Sequence, residues 1–370
     1  MSLDGVQHQM SRQRELALET RGEAPQGQRS GEALTATQET ECSGSDHLME
    51  AVVERSNARM ALRRVRQHRG RPGSDGMSVE ELPQYLVEHW EVLRAPLLAG
   101  TDQPKPVRRQ SMPKPGGGVR ELGIPGVLDR VIQQAIRHVL QPRFDPTVSP
   151  HSHGVRPGRS AHGAIREAQP YVQAGRRWVV DVDIEACFDR VNHEGLLGRL
   201  AKRLADKRLL RLIRRDLEAG SMAHGVVMER YEGTPQGGPL APLLAHGLLD
   251  EVDKELERRG QPFVRYADDC NVDVRSRRAG ERVLQALRRH DATLRLHLNE
   301  DKSTVARVWS RRLLGYSGWI APGRVVKRRV ARQALKAMKD RVRQITSRSG
   351  GRSLEAVAGE LREYLTGWKE

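Results

Sequence analysis

The sequence has few cysteines, few aromatic residues and no long apolar run. Its three cysteines, Cys42, Cys187 and Cys270, stand far apart in 370 residues, which excludes a disulfide scaffold and a cysteine-rich zinc module. No stretch reaches about 18 apolar residues, so no membrane-spanning helix is predicted. The first residues, MSLDGVQHQMSRQ, lack the apolar core of a signal peptide. These absences favour a cytoplasmic protein in a reducing environment.

Acidic residues are fewer than basic residues. The chain has 63 Lys and Arg against 47 Asp and Glu, a net charge of +16, and this balance indicates a polyanionic partner such as a nucleic acid. Aromatic residues make up 4% of the chain, but hydrophobic residues reach 37%, which excludes disorder throughout. The length suits two or three structural units.

The N-terminal half is predicted to be mainly helical after a polar arm. Residues 1–45 show no apolar period and are predicted to be a disordered arm or an over-extended reading frame. Helical spacing predicts helices over residues 48–65, 79–99 and 128–140, with stops at Gly100 and before Pro142. Residues 101–126 are punctuated by Pro and Gly and are predicted to form short strands and turns.

The centre of the chain carries the clearest strand patterns. In RRWVVDVDI (176–184), alternation places Val180, Val182 and Ile184 on one side and Asp181 with Asp183 on the other. PFVRYADDCNVDV (262–274) predicts a strand, a tight turn at residues 267–269, and a second strand. A helix with an apolar stripe lies between them and stops at Gly260; the stripe is formed by Leu244, Leu248, Val252 and Leu256. Helices and antiparallel strands without regular alternation predict the α+β class.

The C-terminal region is strongly basic. Residues 324–348 carry nine more positive than negative charges and are predicted to form one amphipathic helix, followed by another over residues 354–368. We expect Arg328, Arg329 and Arg332 to bind nucleic-acid phosphates. The alternative is that the apolar stripe packs on the rest of the protein and the charges only solubilise the helix.

Adjacent acids at the central turn indicate a cation site. Asp268 and Asp269 repel one another unless a counter-charge is present, although a solvated hairpin turn is the simpler interpretation. The acidic strand with Asp183 favours the cation site over the solvated turn, because three carboxylates from neighbouring strands suit Mg²⁺. Two such ions about 4 Å apart can activate a 3′-hydroxyl and stabilise a leaving pyrophosphate.

Several motifs carry a family resemblance. YADD (266–269), GTPQGGPLAPLL (233–244) and DIEACFD (183–189) are similar to the catalytic box, glycine loop and first acidic motif of reverse transcriptases. With KPGGGVRELGIPGVLDRVIQQAI, HGVRPGRSAHGAI, NEDKS and LLGY in this order, residues 48–318 resemble group II intron-encoded reverse transcriptase/maturases.

The resemblance implies a right-hand polymerase with fingers, an RRM-like antiparallel palm sheet and a partial helical thumb. The N-terminal extension and fingers are expected over residues 46–175, and the palm over 176–322 with part of the fingers inserted between 190 and 232. The partial thumb is expected over 323–370, and the chain stops inside what resembles this region. Departures from the family pattern include His153 and Val155, where Tyr and Phe are usual.

The resemblance also assigns metal ligands. Asp183, Asp268 and Asp269 are expected to bind two Mg²⁺ ions, for which Mn²⁺ can substitute, with help from the main-chain carbonyl of Ile184. Asp181 is the competing choice because it shares a face with Asp183. Lys302 in NEDKS resembles the lysine proposed to protonate the departing pyrophosphate, and by itself it would be a surface lysine.

Nucleotide and nucleic-acid contacts follow from the same motifs. Phe188 is expected to exclude a ribose 2′-hydroxyl, with an ordinary core aromatic as the alternative. The residues expected to contact the nucleotide are Lys114 and Arg120, flanking a flexible glycine run, and Gln236 with Gly237. A solvated basic loop is the alternative for the first pair. Arg156 and Arg159 are expected to contact template or primer phosphate. The nearby His151, His153 and His162 lack a thiol to complete a zinc set, so packing or backbone contact is expected of them.

The sequence thus predicts RNA-templated addition of dNMP to a primer 3′-hydroxyl. The expected partners are an intron RNA template, a DNA primer or target and dNTP substrates, in the service of intron splicing and mobility. One alternative is an RNA-binding, maturase-type splicing cofactor with a vestigial polymerase site. The other is a reverse transcriptase of a retron or defence system.

Overall fold

The computed structural model describes residues 47–113, 118–184, 190–223, 225–321, 325–347 and 351–369. The predicted arm (1–45), Lys114 and Phe188 lie outside these residues. Helices and mainly antiparallel strands alternate irregularly along the chain, so the predicted α+β class is confirmed. No helix in the described part of the chain is long and apolar enough to cross a membrane.

The described residues fall into two compact units. The first unit contains residues up to 148 and residues 190–248, and the second contains residues 149–184 and 249–369. Residues 149–175, which the sequence groups with the fingers, therefore pack with the sheet that contains the acidic motifs.

The first unit is mainly helical. Its helices are α1 (Leu48–Val52), α2 (Arg55–Gln67), α3 (Leu82–Ala99), α4 (Val127–Phe144), α6 (His193–Ala201) and α7 (Lys207–Glu218). The single helix predicted over 48–65 is broken, because Glu54 is extended. Gly100 ends α3 in a left-handed conformation, as predicted. The predicted end before Pro142 is wrong: α4 continues through Pro142 to Phe144, which is buried, so tertiary packing at this end outweighs the loss of one helical hydrogen bond.

Four short strands complete the first unit. They are β1 (Val107–Pro113), β2 (Val119–Ile124), β4 (Ser221–Ala223) and β5 (Val226–Met228), in the sheet order β2-β1-β4-β5. The antiparallel β1–β2 ladder pairs Arg108 with Ile124 and Pro113 with Val119. The strands predicted between residues 101 and 126 are thus confirmed. Strand β2 leads directly into α4.

The second unit is built on the sheet β6-β7-β3-β8. Its strands are β3 (Trp178–Asp183), β6 (Phe263–Tyr266), β7 (Asp269–Val274) and β8 (Thr304–Arg307), and every neighbouring pair is antiparallel. Helix α9 (Arg277–Thr293) packs on the face that carries Val180, because a Cβ at Gly280 would lie 3.3 Å from the Val180 side chain. Helix α5 (Ala161–Gln173) contacts β6 and β7.

The predicted alternation along β3 is confirmed. Val180, Val182 and Ile184 are each at most 5% exposed, while Asp181 and Asp183 are partly exposed. Helix α8 (Ala241–Arg258) also has its predicted stripe buried; all four members, Leu244, Leu248, Val252 and Leu256, are at most 2% exposed. These patterns depend on local periodicity, which is why the sequence was sufficient to predict them.

The C-terminal region differs from the prediction. Residues 324–348 do not form one helix, because Val326–Val330 is a strand (β10) paired with β9 (Tyr316–Ile320). Helix α10 (Arg332–Ile345) begins after it, and α11 (Leu354–Lys369) follows. The valines in the basic run VVKRRV favour a strand, and the pairing with YSGWI decides it. Arg328 and Arg329 thus lie on a strand and point to opposite faces.

Candidate active site

The acidic motifs meet at one end of the second unit's sheet. Asp183 on β3 is the direct cross-strand partner of Asp269 on β7. Asp268 precedes Asp269 in the acidic turn (residues 266–269), where β6 reverses into β7. Ala267 in this turn has φ 57°, a left-handed conformation that is uncommon for a residue other than glycine. Side-chain alternation and strand register therefore bring together carboxylates more than 80 residues apart in the sequence.

Asp181 lies further from the acidic turn than Asp183. Its cross-strand partner is Asn271, and its Oδ2 accepts a 2.9 Å hydrogen bond from Nε of Arg311. The Arg311 Nη2 group also donates to the same oxygen. Burial raises the pKa of Asp181 and the Arg311 hydrogen bonds oppose it. Since Asp183 lies directly opposite Asp269 and Asp181 does not, the cross-strand register favours Asp183 as the metal ligand.

The loop after α9 fixes the main chain at Asp183. The Asn299 N–H donates to the Asp183 carbonyl (2.8 Å), and the Ser303 hydroxyl lies 3.1 Å from the Asp183 nitrogen. The next residue, Ile184, forms an antiparallel bridge with Leu298. Held in this way, the end of β3 is a rigid support for a carboxylate and a carbonyl ligand. The carbonyl role of Ile184 stays a prediction.

Lys302 lies on the same loop. Its Nζ is 3.0 Å from Oδ2 of Asp183, and its side chain is 62% exposed. The ammonium group therefore reaches the carboxylates without being buried among them. This position is compatible with the predicted proton donation to pyrophosphate, which stays a prediction.

The carboxylates at this end of the sheet lack sufficient counter-charge. The pKa of Asp269 is raised to about 6, first by loss of solvent around it and then by its acidic neighbours, with Arg312 opposing. These neighbours are Asp268, Asp181 and Asp183. A partly buried carboxylate with a raised pKa among other acids is typical of a site that can bind a cation.

The donor set fits Mg²⁺. Asp183, Asp268, Asp269 and the Ile184 carbonyl would offer hard oxygen ligands, which this ion prefers, from the end of β3 and the acidic turn. Within the described residues, no three acidic, histidine or cysteine side chains converge as a ready ligand set. Asp183 is paired with Lys302 instead. A cation at this site would therefore have to displace the Lys302 ammonium from Asp183.

Arg265 supports the acidic turn from within. It is 1% exposed and pairs with the fully buried Asp253 on α8, with 2.5 Å between Nη2 and Oδ2. Its Nη1 donates a 2.8 Å hydrogen bond to the carbonyl of Ala267. A charged residue inside the apolar strand β6 should have suggested a buried acidic partner, but we did not assign Arg265 a role from the sequence.

The glycine turn (residues 233–238) lies in the first unit. The Gly233 N–H donates to the Val191 carbonyl (2.8 Å), and the Gly123 N–H donates to the Gln236 carbonyl (3.0 Å). Gly237 has φ 142°, and a Cβ there would lie 2.6 Å from the Gly123 oxygen. Only glycine permits this approach of the glycine turn to β2.

Helix α4 also contacts the glycine turn. A Cβ on Gly238 would lie 2.3 Å from Oε1 of Gln133, whose Nε2 donates a 2.7 Å hydrogen bond to buried Asp216 on α7. Burial raises the pKa of Asp216 to about 6, and the Gln133 hydrogen bond and Arg230 oppose it. Arg120, exposed on β2, and the pair Gln236 and Gly237 therefore occupy one unit, where their nucleotide contacts stay predictions.

The arginines predicted to bind phosphate differ in their exposure and in the hydrogen bonds they make within the protein. Nη1 of Arg156 donates to the carbonyls of Ser149 (2.6 Å) and Ser152 (2.9 Å), so this nitrogen is committed within the protein. Arg159 is partly exposed. The three C-terminal arginines are exposed; Arg328 and Arg329 lie on β10, and Arg332 is the first residue of α10. Their phosphate contacts stay predictions.

Comparison with known proteins identifies the family. Residues 112–317 match the reverse transcriptase (RNA-dependent DNA polymerase) family. Protein YkfC of Escherichia coli K12 is 29% identical over 333 residues, which cover 79% of this chain and 85% of YkfC. The group II intron-encoded protein LtrA of Lactococcus lactis is 37% identical over 182 residues, 49% of this chain and 29% of LtrA.

A yeast intron protein is also similar to this chain. The putative COX1/OXI3 intron 1 protein of Saccharomyces cerevisiae is 30% identical over 204 residues, 54% of this chain and 24% of that protein. The chain thus spans most of YkfC but less than a third of these two intron-encoded relatives. The family match covers more than half of the chain and includes β3, the glycine turn and the acidic turn. The chain belongs to the reverse transcriptase family.

Proposed function

We propose that this protein is an RNA-directed DNA polymerase that adds dNMP to a primer 3′-hydroxyl. The observation that carries the proposal is the cross-strand pairing of Asp183 with Asp269, where burial and then the neighbouring acids raise the pKa of Asp269 to about 6. Membership of the reverse transcriptase family supports the same reaction.

Asp183, Asp268 and Asp269 hold the metal ions in this proposal, with the Ile184 carbonyl. When bound, two Mg²⁺ ions, or Mn²⁺ in their place, supply activation of the 3′-hydroxyl and neutralisation of the charge that develops on the pyrophosphate. Lys302 holds a proton at Nζ close to this charge. The rigid end of β3, fixed by Asn299 and Ser303, orients the carboxylate of Asp183.

The substrates follow from the same reaction. We propose an intron RNA as the template, a DNA primer or target as the acceptor and dNTPs as the nucleotide donors. The net charge of +16 favours binding to nucleic-acid phosphates. The similarity to LtrA supports a group II intron as the source of the RNA. In this setting the protein also assists splicing and mobility of its intron.

Primer extension on poly(rA)/oligo(dT) tests the proposed reaction. The wild-type protein should incorporate dTMP only with Mg²⁺ or Mn²⁺ present. Asp268→Asn should lower the rate by about three orders of magnitude or more, since it removes charge from the cation site. Asp340→Asn, an exposed acid on α10, is the matched control and should leave the rate unchanged. Extension by Asp268→Asn at the wild-type rate would contradict the metal assignment.

A second candidate is an RNA-binding splicing cofactor without polymerase activity. The basic composition favours this candidate. A nuclear intron maturase of Arabidopsis thaliana is also similar to the chain, with 28% identity over 48% of this chain's length. This candidate predicts tight binding to the flanking intron RNA and faster splicing of that RNA, with no dTMP incorporation in any divalent ion.

A further inference from the structure

The acidic turn has a neighbour on its outer side, the edge segment (residues 151–154). The Arg265 N–H donates to the His151 carbonyl (2.9 Å), and the His153 N–H donates to the Arg265 carbonyl (2.8 Å). Ser152 thereby forms a parallel bridge with Arg265, which extends the sheet beyond β6. Next in the chain, a Cβ on Gly154 would lie 2.2 Å from the Ala267 nitrogen. The edge segment therefore lies directly against the main chain of the acidic turn.

One carboxylate fastens the edge segment to helix α5. Glu167 accepts hydrogen bonds from Nδ1 of His151 and, at 2.6 Å, from Nε2 of His153. The Tyr171 hydroxyl adds a third hydrogen bond at 3.1 Å. The edge of the His151 ring also contacts Phe263 on β6, with 5.1 Å between ring centroids. Both oxygens of Glu167 thus hold side chains of the edge segment.

The Glu167 carboxylate remains ionised. Partial burial would raise its pKa, but hydrogen bonds from His153, His151 and Tyr171 outweigh the burial and hold the pKa at about 2. His153 is 4% exposed, and its Nδ1 is buried without a hydrogen-bond partner among the described residues. The ring can therefore satisfy only its Nε2, and it does so only through Glu167.

We propose that Glu167 is a positioning residue for the polymerase reaction. Through His151 and His153 it fixes the edge segment, and the edge segment in turn fixes the main chain at Arg265 and Ala267. The direction of the carboxylates on Asp268 and Asp269 depends on that main chain. Glu167 itself does not touch substrate or metal. This inference rests on the proposed polymerase function.

The contacts of Glu167 with His151 and His153 support the acidic turn differently from the buried ion pair of Arg265. The Arg265–Asp253 pair is buried inside the second unit, so its loss would destabilise the whole unit. Glu167 is 24% exposed, and the edge segment reaches β6 through two main-chain hydrogen bonds. Loss of Glu167 should therefore open the edge segment locally while the rest of the unit remains folded.

The test compares Glu167→Gln with Glu281→Gln in the full-length protein. Glu281 forms an exposed ion pair with Arg277 in the same unit, away from the edge segment, and provides the control. The first readout is hydrogen–deuterium exchange of residues 263–270 without metal, which Glu167→Gln should accelerate about tenfold or more. The second is primer extension, where kcat should fall about 10- to 100-fold. The KM for dTTP and the affinity for RNA should change less than about twofold, since neither depends on the direction of the acidic turn.

A second pair of variants provides a rescue. His153→Gln keeps a donor near the position of Nε2, while His153→Leu removes it. His153→Leu should reproduce the faster exchange and lower kcat of Glu167→Gln, and His153→Gln should recover most of both. This pair also decides the question if Glu167→Gln fails to fold.

Two outcomes would overturn the proposal. In one, exchange of residues 263–270 and kcat in Glu167→Gln match those of Glu281→Gln. In the other, His153→Leu and His153→Gln behave alike. A wild-type protein that does not extend poly(rA)/oligo(dT) would instead count against the proposed function, since the exchange measurement requires no activity.

Discussion

The acidic turn and the glycine turn both carry predicted chemistry, yet they are held in different ways. Besides its main-chain contact with Gly154, the acidic turn has an ionic anchor, because Arg265 binds both Asp253 and the Ala267 carbonyl. The glycine turn is held by close contact between main chains, since Gly237 leaves no room for a Cβ beside Gly123. A turn that must direct carboxylates needs anchors that resist their repulsion. A turn that packs main chain against main chain needs glycine at the point of approach.

The largest expected effect distinguishes two acids on one strand. Asp183→Asn should lower primer extension by about three orders of magnitude or more, because it removes a ligand from the cation site. Asp181→Asn should lower it less than about tenfold, because Asp181 is the partner of Arg311 and lies two cross-strand pairs further from the acidic turn. Equal losses in the two variants would show that the register does not decide which acid binds the metal.

A methyl group added next to the acidic turn and one added within the glycine turn should change different kinetic parameters. Gly154→Ala places a Cβ against the Ala267 nitrogen, which displaces the acidic turn, so kcat should fall about 100-fold. Gly237→Ala meets the Gly123 oxygen in the first unit and should mainly raise the KM for dNTP, about tenfold or more.

Two glycines without close neighbours provide the controls. Gly198→Ala on α6 and Gly359→Ala on α11 add a Cβ that meets no described atom within 4 Å. Both should keep wild-type kcat and KM in steady-state primer extension. If Gly154→Ala and Gly237→Ala change the same kinetic parameter, the proposed division of roles between the turns is wrong.

The support beneath the glycine turn predicts a dependence of stability on pH. Because the pKa of Asp216 is raised to about 6 in the folded protein, the folded state holds a proton that the unfolded chain releases near its ordinary value of 3.8. The stabilisation is complete below the unfolded pKa and is lost as the pH rises through about 6.

Asp216→Asn should remove this dependence while keeping an oxygen for the Gln133 amide. Its free energy of unfolding should exceed that of the wild type by about 1 to 3 kcal/mol at pH 7, with a smaller gain at pH 4. Urea unfolding at several pH values measures both quantities. A constant difference between the two proteins from pH 4 to 7 would contradict the raised pKa.

Local patterns were sufficient to predict the elements that carry the site. Strand β3, the acidic turn and the stripe of α8 each follow from a period of 2 or 3.6 in adjacent residues. The same reasoning failed at residues 326–330, because a short basic run with flanking valines suits a helix or a strand, and pairing with β9 decides between them.

Contacts between residues far apart in the chain could not be predicted from the sequence. The choice of Asp183 over Asp181 rested on the family motif alone, since the residues could not reveal the cross-strand register or the pairing of Asp181 with Arg311, 130 residues away. Glu167 was missed because its role depends on two histidines whose ring orientation no spacing rule predicts. These contacts exist only after the sheet has formed, so one-dimensional patterns do not encode them.

The smallest expected effect concerns the basic C-terminal region, where Arg328, Arg329 and Arg332 are exposed. Arg328 and Arg329 are neighbours on β10 and point to opposite faces, so a single duplex surface cannot engage both as it could on one helix face. Changing Arg328, Arg329 and Arg332 to Ala should therefore flatten the dependence of log K on log salt by about one to two units, short of the three expected if every arginine bound a phosphate.

The control changes Arg277, Arg282 and Arg289, which are exposed on α9, and removes the same charge. Filter binding to the flanking intron RNA at several KCl concentrations compares the two. An equal slope in both triple variants would mean that the C-terminal arginines act through net charge alone, whereas a steeper slope in the control would locate phosphate contacts on β10 and α10.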